Sequence, residues 1–191
     1  PHCTQILGDL GADIIKIERI ETGDDTRKFA PPYMKDSDGK DTNQSAYFSG
    51  TNRNKRSLTL DLSSEEGQSI ARELISKSDI LVENFKVGTL KKYNLDYESL
   101  KDQFPDLIYC SITGFGQTGP YASRPAYDAL VQAMGGVMSL TGEPDGEPMK
   151  VGVSIADLMA GMYATVSILA ALRHRDKTNQ GQHLDLSLIH I

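Results

Sequence analysis

Asp157 is the residue of this sequence whose setting best suits chemistry. It stands in the segment GVSIADLMAGMY, residues 152–163, where its neighbours are mostly apolar or small. A lone carboxylate in apolar surroundings is unusual, and burial raises its pKa unless donors hold the charged form. Two compatible roles stay open: an N-cap or first-turn Asp stabilised by the helix dipole, or a nucleophile oriented by the helix start. The small residues Ala156, Ala160 and Gly161 predict room for a ligand beside it.

Three further segments place polar or glycine-rich sequence directly after a predicted strand: residues 18–19, 83–86 and 114–119. Parallel sheets bind ligands beyond the carboxyl ends of their strands, so we expect these segments to line one crevice. Backbone amides together with a cation such as Arg19 or Lys86 would suit a phosphorylated ligand. A solvated Arg and a tight turn are the simpler alternatives. The glycine turn matches neither the phosphate-loop nor the dinucleotide pattern.

The segment NRNKR, residues 52–56, concentrates three cations: Arg53, Lys55 and Arg56. A solvated loop is one interpretation, and a phosphate clamp or a subunit contact is the other.

The remaining reactive side chains form no recognisable site. The four histidines lack metal-ligand spacing, so we predict no metal. Cys3 and Cys110 are interpreted as core residues. Two cysteines cannot build a disulfide framework, which predicts a reducing compartment, the cytoplasm or a mitochondrial matrix. No Ser-His-Asp arrangement or nucleophile elbow is visible.

The elements that must position these residues alternate between strands and helices. Strands are predicted at residues 13–18, 56–62, 80–83, 107–112 and 184–188, and helices at residues 4–10, 63–76, 89–93, 97–104, 127–138 and 154–175. Residues 21–46 are predicted to be a long surface loop, and residues 113–120 and 141–146 to be turns. This order predicts one α/β domain with a largely parallel sheet and helices on both faces.

The composition of the chain argues against two classes of binding partner, nucleic acids and membranes. Twenty Lys and Arg against 26 Asp and Glu give the chain of 191 residues a net charge of −6. This balance argues against nucleic-acid binding, and no continuous apolar run approaches the roughly 18 residues of a membrane span. Both ends suggest a piece of a longer protein.

Five blocks, in order along the chain, carry a family resemblance. They are LGADIIKIE (residues 10–18), NKRS with LDL (54–57 and 60–62), VENF (82–85), SITGFG (111–116) and GVSIADLMA (152–160). Together they closely resemble the family III CoA-transferases, the group that includes formyl-CoA:oxalate and carnitine CoA-transferases. The resemblance covers nearly the whole chain.

The resemblance implies that Asp157 is the catalytic aspartate, and that coenzyme A enters as an acyl-CoA co-substrate. Its carboxylate would attack the thioester to give a mixed anhydride, and the thiolate would then form an aspartyl-CoA thioester. A carboxylic acid acceptor would finally receive the CoA. Such covalent catalysis divides one difficult transfer into easier steps.

The resemblance also implies a set of CoA contacts, which are Arg19, Leu60, Asn84, Phe85, Lys92, Arg124 and Tyr127. Lys92 stands where formyl-CoA transferase has Arg, which keeps the charge but loses the bidentate fork. Arg124 falls one position before a Lys of that enzyme.

Two other functions remain open. The family includes racemases acting beside the acyl-CoA carbonyl, whose Gly-His-Asp triplet supplies a His. Here the same stretch is Ala126-Tyr127-Asp128, and a Tyr, with a reference pKa of about 10, is a poor base near neutral pH. The third possibility is a non-catalytic CoA-binding module, which would keep Arg19 and Asn84 but have no need of Asp157.

The family fold implied by the resemblance is an interlocked homodimer whose large domain is an open Rossmann-like sheet. On that basis we expect residues 1–191 to be a truncated part of the large domain. The first strand and the C-terminal part of the protein would be missing.

Overall fold

The computed structural model describes residues 1–191, which divide into two compact units, Pro1–Gln68 and Ser69–Ile191. Both units are α/β, and their parallel strands confirm the predicted fold class. That the chain forms one domain stays a prediction.

A parallel strand pair organises the first unit. Its elements are α1 (His2–Asp9), β1 (Ile14–Glu18), a 3₁₀ helix (Asp25–Lys28), β2 (Tyr33–Lys35), β3 (Asp41–Ser45), α2 (Ala46–Thr51) and β4 (Lys55–Thr59). Gly11, with a φ of 103°, lets the chain turn from α1 into the β-branched run of β1. Because β1 and β4 pair in parallel, with Glu18 opposite Thr59, their carboxyl ends meet at one edge.

The prediction of a long surface loop over residues 21–46 is wrong in part. The segment contains the 3₁₀ helix and the antiparallel pair β2–β3. Ser45 ends β3 and caps α2, because its Oγ accepts a hydrogen bond from the Phe48 amide at 2.9 Å. Strand β3 consists entirely of polar residues, so it lacks the apolar alternation that indicates a strand.

The boundary between the units falls within α3 (Glu65–Ile75), and a three-stranded parallel sheet organises the second unit. The further elements are β5 (Ile80–Glu83), a 3₁₀ helix (Leu90–Tyr93), α4 (Tyr97–Leu100), β6 (Ile108–Thr113), α5 (Asp128–Met134), a 3₁₀ helix (Val137–Leu140), α6 (Ile155–Thr178), β7 (Gln182–Ser187) and a last 3₁₀ turn (Leu188–His190). The strand order is β5-β6-β7. The central strand β6 is buried over its first four residues, so the core of this unit lies around it.

Helix α5 is shorter than predicted, because the chain leaves the helix at Gly135 and Gly136 has a φ of 85°. Helix α6 runs three residues beyond the prediction and ends at Asn179 in the left-handed conformation. An 18-residue window of α6 has a mean hydropathy of 1.7 and passes the length and composition test for a membrane span. Its buried residues, such as Ala164 and Ile168, and its packing against β6 and β7 are also those of a core helix.

Candidate active site

Asp157 is the third residue of α6 and lies in its first turn. It does not cap the helix: Ser154 is the N-cap residue, and the two nearest amides bond to another side chain. The Asp157 carboxylate accepts no hydrogen bond within its unit. The first-turn position is therefore as predicted, and the N-cap alternative is wrong.

The side chain that binds the start of α6 belongs to α5. Asp128 Oδ1 accepts hydrogen bonds from the amides of Ala156, at 2.8 Å, and Asp157, at 3.2 Å. Its Oδ2 accepts a hydrogen bond from Gln132 Nε2 at 2.5 Å. The sequence signal for this arrangement was an Asp at the predicted start of a helix, with a Gln one turn later. The partner amides, nearly thirty residues away, gave no signal.

The electrostatic setting of Asp157 disfavours its charged form. The residue is exposed as a whole, but atoms packed around the carboxyl group displace part of its water. This desolvation, and next the negative charge of Asp128, raise the pKa of Asp157 above its ordinary value. A carboxylate with a raised pKa and no hydrogen bond is a stronger nucleophile than a solvated one.

The small residues of α6 serve packing. Ala156 and Ala160 are buried in one cluster with Val131 of α5 and Leu188, and Gly161 is also buried. The prediction that these three residues leave room for a ligand is therefore wrong. The small side chains of Ala156 and Ala160 instead let α5 approach α6 closely, which brings Asp128 to the helix start.

Two of the predicted CoA contacts lie just before or at the start of α5. Tyr127 directly precedes Asp128 and is 79% exposed. The Arg124 guanidinium lies over the ring of Tyr121, 4.2 Å from its centroid, and Tyr121 packs edge-on against Phe115. The structure thus brings Tyr127 to the α5–α6 junction and gives Arg124 an aromatic support.

Three other predicted contacts follow β5. Asn84, Phe85 and Lys92 are exposed, the first two directly at the carboxyl end of the strand and Lys92 in the following 3₁₀ helix. Glu83 orders this turn, since its Oε2 accepts a hydrogen bond from the Phe85 amide at 2.8 Å.

Sequence reasoning missed a Ser–His pair beside this turn. Ser111 Oγ lies 3.0 Å from His183 Nε2, and the His183 ring stacks on Tyr97 at 4.8 Å. Ser111 is buried in the sheet, so the pair is part of the core rather than an accessible nucleophile.

Two backbone amides of the glycine turn after β6 already have side-chain partners. The Gly116 amide donates to Thr113 Oγ1 at 2.9 Å, and the Gln117 amide donates to Asp185 Oδ2 at 2.9 Å. A Cβ on Gly114 would lie 2.2 Å from that of Ala126, so only glycine fits there. These contacts favour the tight connection over a phosphate cradle at these two amides.

Arg19 and Leu60, in the first unit, follow the paired strands β1 and β4. The Leu60 amide donates to Glu18 O at 2.9 Å, which places both residues at the same edge. Arg19 is exposed and forms an ion pair with Asp25. It lines an open groove of about 810 Å³ that also contains Thr59.

A buried carboxylate supports the chain around Arg19. Glu18 accepts hydrogen bonds from the Asp24 amide, from Arg27 Nε and Nη2, each at 3.0 Å, and from Ser57 Oγ at 2.8 Å. Burial works to raise the pKa of Glu18, but these donors outweigh it and hold the pKa below its ordinary value. The chain after β1 is therefore tied to both strands.

The cations of residues 52–56 have structural partners. Arg53 forms a two-point ion pair with Asp9, and Arg56 forms another with Asp13. Lys55 Nζ donates hydrogen bonds to three oxygens. Burial, and to a smaller extent the positive charge of Lys16, lowers the pKa of Lys55 to about 8. This pairing favours a structural role over a phosphate clamp.

The chain belongs to the CoA-transferase family III, whose model matches residues 1–191. It is 51% identical over its whole length to the succinate–glutarate CoA-transferase of Agrobacterium fabrum, of which it covers 48%. It is 47% identical to the acetyl-CoA:oxalate CoA-transferase of Acetobacter aceti, with 98% of this chain and 46% of that protein covered. A crystal structure of a CAIB/BAIF family protein from Brucella suis superposes with a TM-score of 0.92 at 53% identity, covering 99% of this chain and 49% of that one. The chain thus spans about half the length of the relatives it matches.

Proposed function

We propose that the whole protein transfers CoA from an acyl-CoA donor to a carboxylic acid, with Asp157 as the nucleophile. The observation that carries the proposal is the Asp157 carboxylate itself, which lies in the first turn of α6 without a hydrogen-bond donor. Burial and the neighbouring charge of Asp128 raise its pKa above the ordinary value, which makes it more nucleophilic than an ordinary Asp. The relatives' names support CoA transfer, with dicarboxylic acids among the substrates.

The proposed reaction has four displacements. An Asp157 oxygen attacks the acyl carbonyl and expels CoA thiolate, which leaves an acyl-aspartyl anhydride. The thiolate attacks the aspartyl carbonyl and expels the donor carboxylate, which leaves an aspartyl-CoA thioester. The acceptor carboxylate then displaces the thiolate from Asp157, forming a second anhydride. Attack of the thiolate on the acceptor acyl carbon releases the new acyl-CoA and restores Asp157.

Each displacement exchanges one anion for another, so no proton has to move. A site for this reaction needs no general base, which suits Tyr127 at the position where racemases have His. It does need donors for the oxyanion of each tetrahedral intermediate. The first-turn amides of α6 do not supply them, because those of Ala156 and Asp157 already bond to Asp128.

We propose Arg19, Leu60, Asn84, Phe85, Lys92, Arg124 and Tyr127 as CoA contacts. All of them except the half-buried Leu60 are exposed, and four of the seven lie directly after parallel strands. Both features support this assignment. Succinyl-CoA with a dicarboxylate acceptor is the proposed substrate pair, in an interlocked homodimer.

Hydroxylamine trapping tests the proposal. The full-length protein is incubated with succinyl-CoA, then with hydroxylamine, and the peptide containing Asp157 is examined by mass spectrometry. We expect a hydroxamate on Asp157, none in Asp157→Asn, and an unchanged yield in Asp145→Asn, which alters an exposed loop carboxylate. Absence of the adduct, with exchange of the α-proton into heavy water, would establish a racemase instead. Binding of CoA with neither outcome would leave a non-catalytic module.

A further inference from the structure

The start of α6 is held by α5 and not by its own side chains. Ser154, at the N-cap, makes no side-chain hydrogen bond to the helix. Asp128 Oδ1 instead accepts the amide hydrogens of Ala156 and Asp157. An acceptor at this place satisfies two of the amides that a helix start leaves without partners.

Asp128 is itself fixed by Gln132, one turn later in α5. Gln132 is fully buried, and both ends of its amide group are used. Its Nε2 donates to Asp128 Oδ2 at 2.5 Å, and its Oε1 accepts a hydrogen bond from the Val151 amide at 2.8 Å. One buried amide therefore fixes both the carboxylate and the chain leading into α6.

We infer that Asp128, held by Gln132, is a positioning residue for the nucleophilic step. Its hydrogen bonds to the backbone fix the position of Asp157. They also engage the amides from which the Asp157 carboxylate could otherwise accept hydrogen bonds. This inference rests on the proposed function of Asp157. A nucleophile that had to break bonds to its own helix would react more slowly, because only its unbonded form attacks.

The charge of Asp128 has a second effect. Desolvation is the larger cause of the raised pKa of Asp157. The negative charge of Asp128, in the same unit, is the second cause. Because nucleophilicity rises with basicity, the same residue both places and activates the nucleophile.

Two variants of the full-length protein separate these effects. Asp128→Ala removes the acceptor and the charge together. Asp128→Asn keeps an oxygen for the two amides, removes the charge and turns an NH₂ group toward Gln132 Nε2. Asp176→Asn is the matched control, since it removes an exposed carboxylate near the other end of α6.

For Asp128→Ala we expect kcat to fall by about 10- to 100-fold with KM for the acyl-CoA unchanged, as for a misplaced reactive group. For Asp128→Asn we expect a smaller loss of kcat. The acid limb of its kcat/KM profile should move to lower pH, because the neighbouring negative charge is gone. The control should match the wild type in both respects.

Hydrogen exchange at residues 155–158 provides a readout that needs no catalysis. We expect faster exchange there in Asp128→Ala, and wild-type exchange in Asp157→Asn. Wild-type kcat, pH profile and exchange in Asp128→Ala would overturn the inference. A wild-type protein that forms no adduct on Asp157 would overturn the proposed function, while the exchange result would still show whether Asp128 holds the helix start.

Discussion

Replacing Glu18 by Gln tests how strongly the first unit depends on its buried carboxylate. The Glu18 side chain is 2% exposed and that of its partner Arg27 is 31% exposed. Gln replaces one acceptor oxygen by an NH₂ group that faces donors, and it leaves the guanidinium without its counter-charge. Breaking a buried pair on one side destabilises a protein by about 3–5 kcal/mol. Since Arg27 is partly solvated, we expect a loss of about 2–3 kcal/mol of unfolding free energy.

The matched control is a second two-point Arg–carboxylate pair in the same unit. Arg56 and Asp13 are 66% and 73% exposed, although their hydrogen bonds, at 2.9 and 2.5 Å, are just as short. An exposed pair contributes about 0–1 kcal/mol, so Asp13→Asn should change stability little. The two ion pairs therefore have similar hydrogen-bond geometry and differ in how deeply they are buried.

Urea unfolding of the full-length protein at neutral pH measures both variants, with stability taken from the midpoint and the slope m. The folded-state pKa of Glu18 is lowered, so its stabilisation is complete above the ordinary Glu pKa and is lost as pH falls through the folded value. The gap between the wild type and Glu18→Gln should therefore narrow in acid. A Glu18→Gln midpoint no lower than that of Asp13→Asn would refute the reasoning.

Three other predictions concern the second unit. Gly114→Ala should lower the unfolding free energy by about 1–3 kcal/mol, measured in urea, because its methyl group would overlap Ala126. Lys92→Ala should raise KM for the acyl-CoA in steady-state assays and leave kcat unchanged, since an exposed cation binds the ground state and the transition state equally. Asp157→Asn should unfold at an equal or higher urea concentration than the wild type at pH 7, because folding raises the pKa of this carboxyl and so disfavours its charged form.

Each of these predictions has a control or a contradicting result. Gly152→Ala adds a methyl group where no atom lies within 4 Å and should be neutral. Lys91→Ala removes the adjacent exposed cation and is the control. If it raises KM for the acyl-CoA as much as Lys92→Ala does, Lys92 is not a specific CoA contact. A clearly less stable Asp157→Asn would show that the carboxylate contributes to folding after all.

The sequence predicts elements well where the signal is local. The β-branched run of β1 and the apolar β5 and β6 lie where expected, because parallel strands favour such residues, although only β6 is largely buried here. Strand β3 has no local sequence signal, because polar residues form it and its pairing with β2 is a tertiary contact. The predicted end of α5 lies too late in the chain, although two consecutive glycines mark the observed end.

The candidate site shows the same limit. Asp157 and its helix follow from a local segment and from the family resemblance. Its capping by Asp128 does not, because the carboxylate and the amides it binds are 28 and 29 positions apart. Likewise, the pairing of Arg53 with Asp9 spans 44 positions, so the sequence indicates only a solvated loop, a phosphate clamp or a subunit contact, and not this ion pair.

The hydrogen bonds of Gln132 also divide the chain between α5 and α6 into a part that is held in place and a loop whose length can change. Gln132 holds Val151, and the Met149 amide closes onto Met138 O at 3.2 Å. The exposed residues 143–148 therefore form an outward loop whose two stems are tied together. Extra residues grafted at Asp145 would lengthen that loop without shifting the start of α6. This makes it a position for inserting a tag or a fluorescent reporter, and a place where relatives can differ in length while the start of α6 stays where it is.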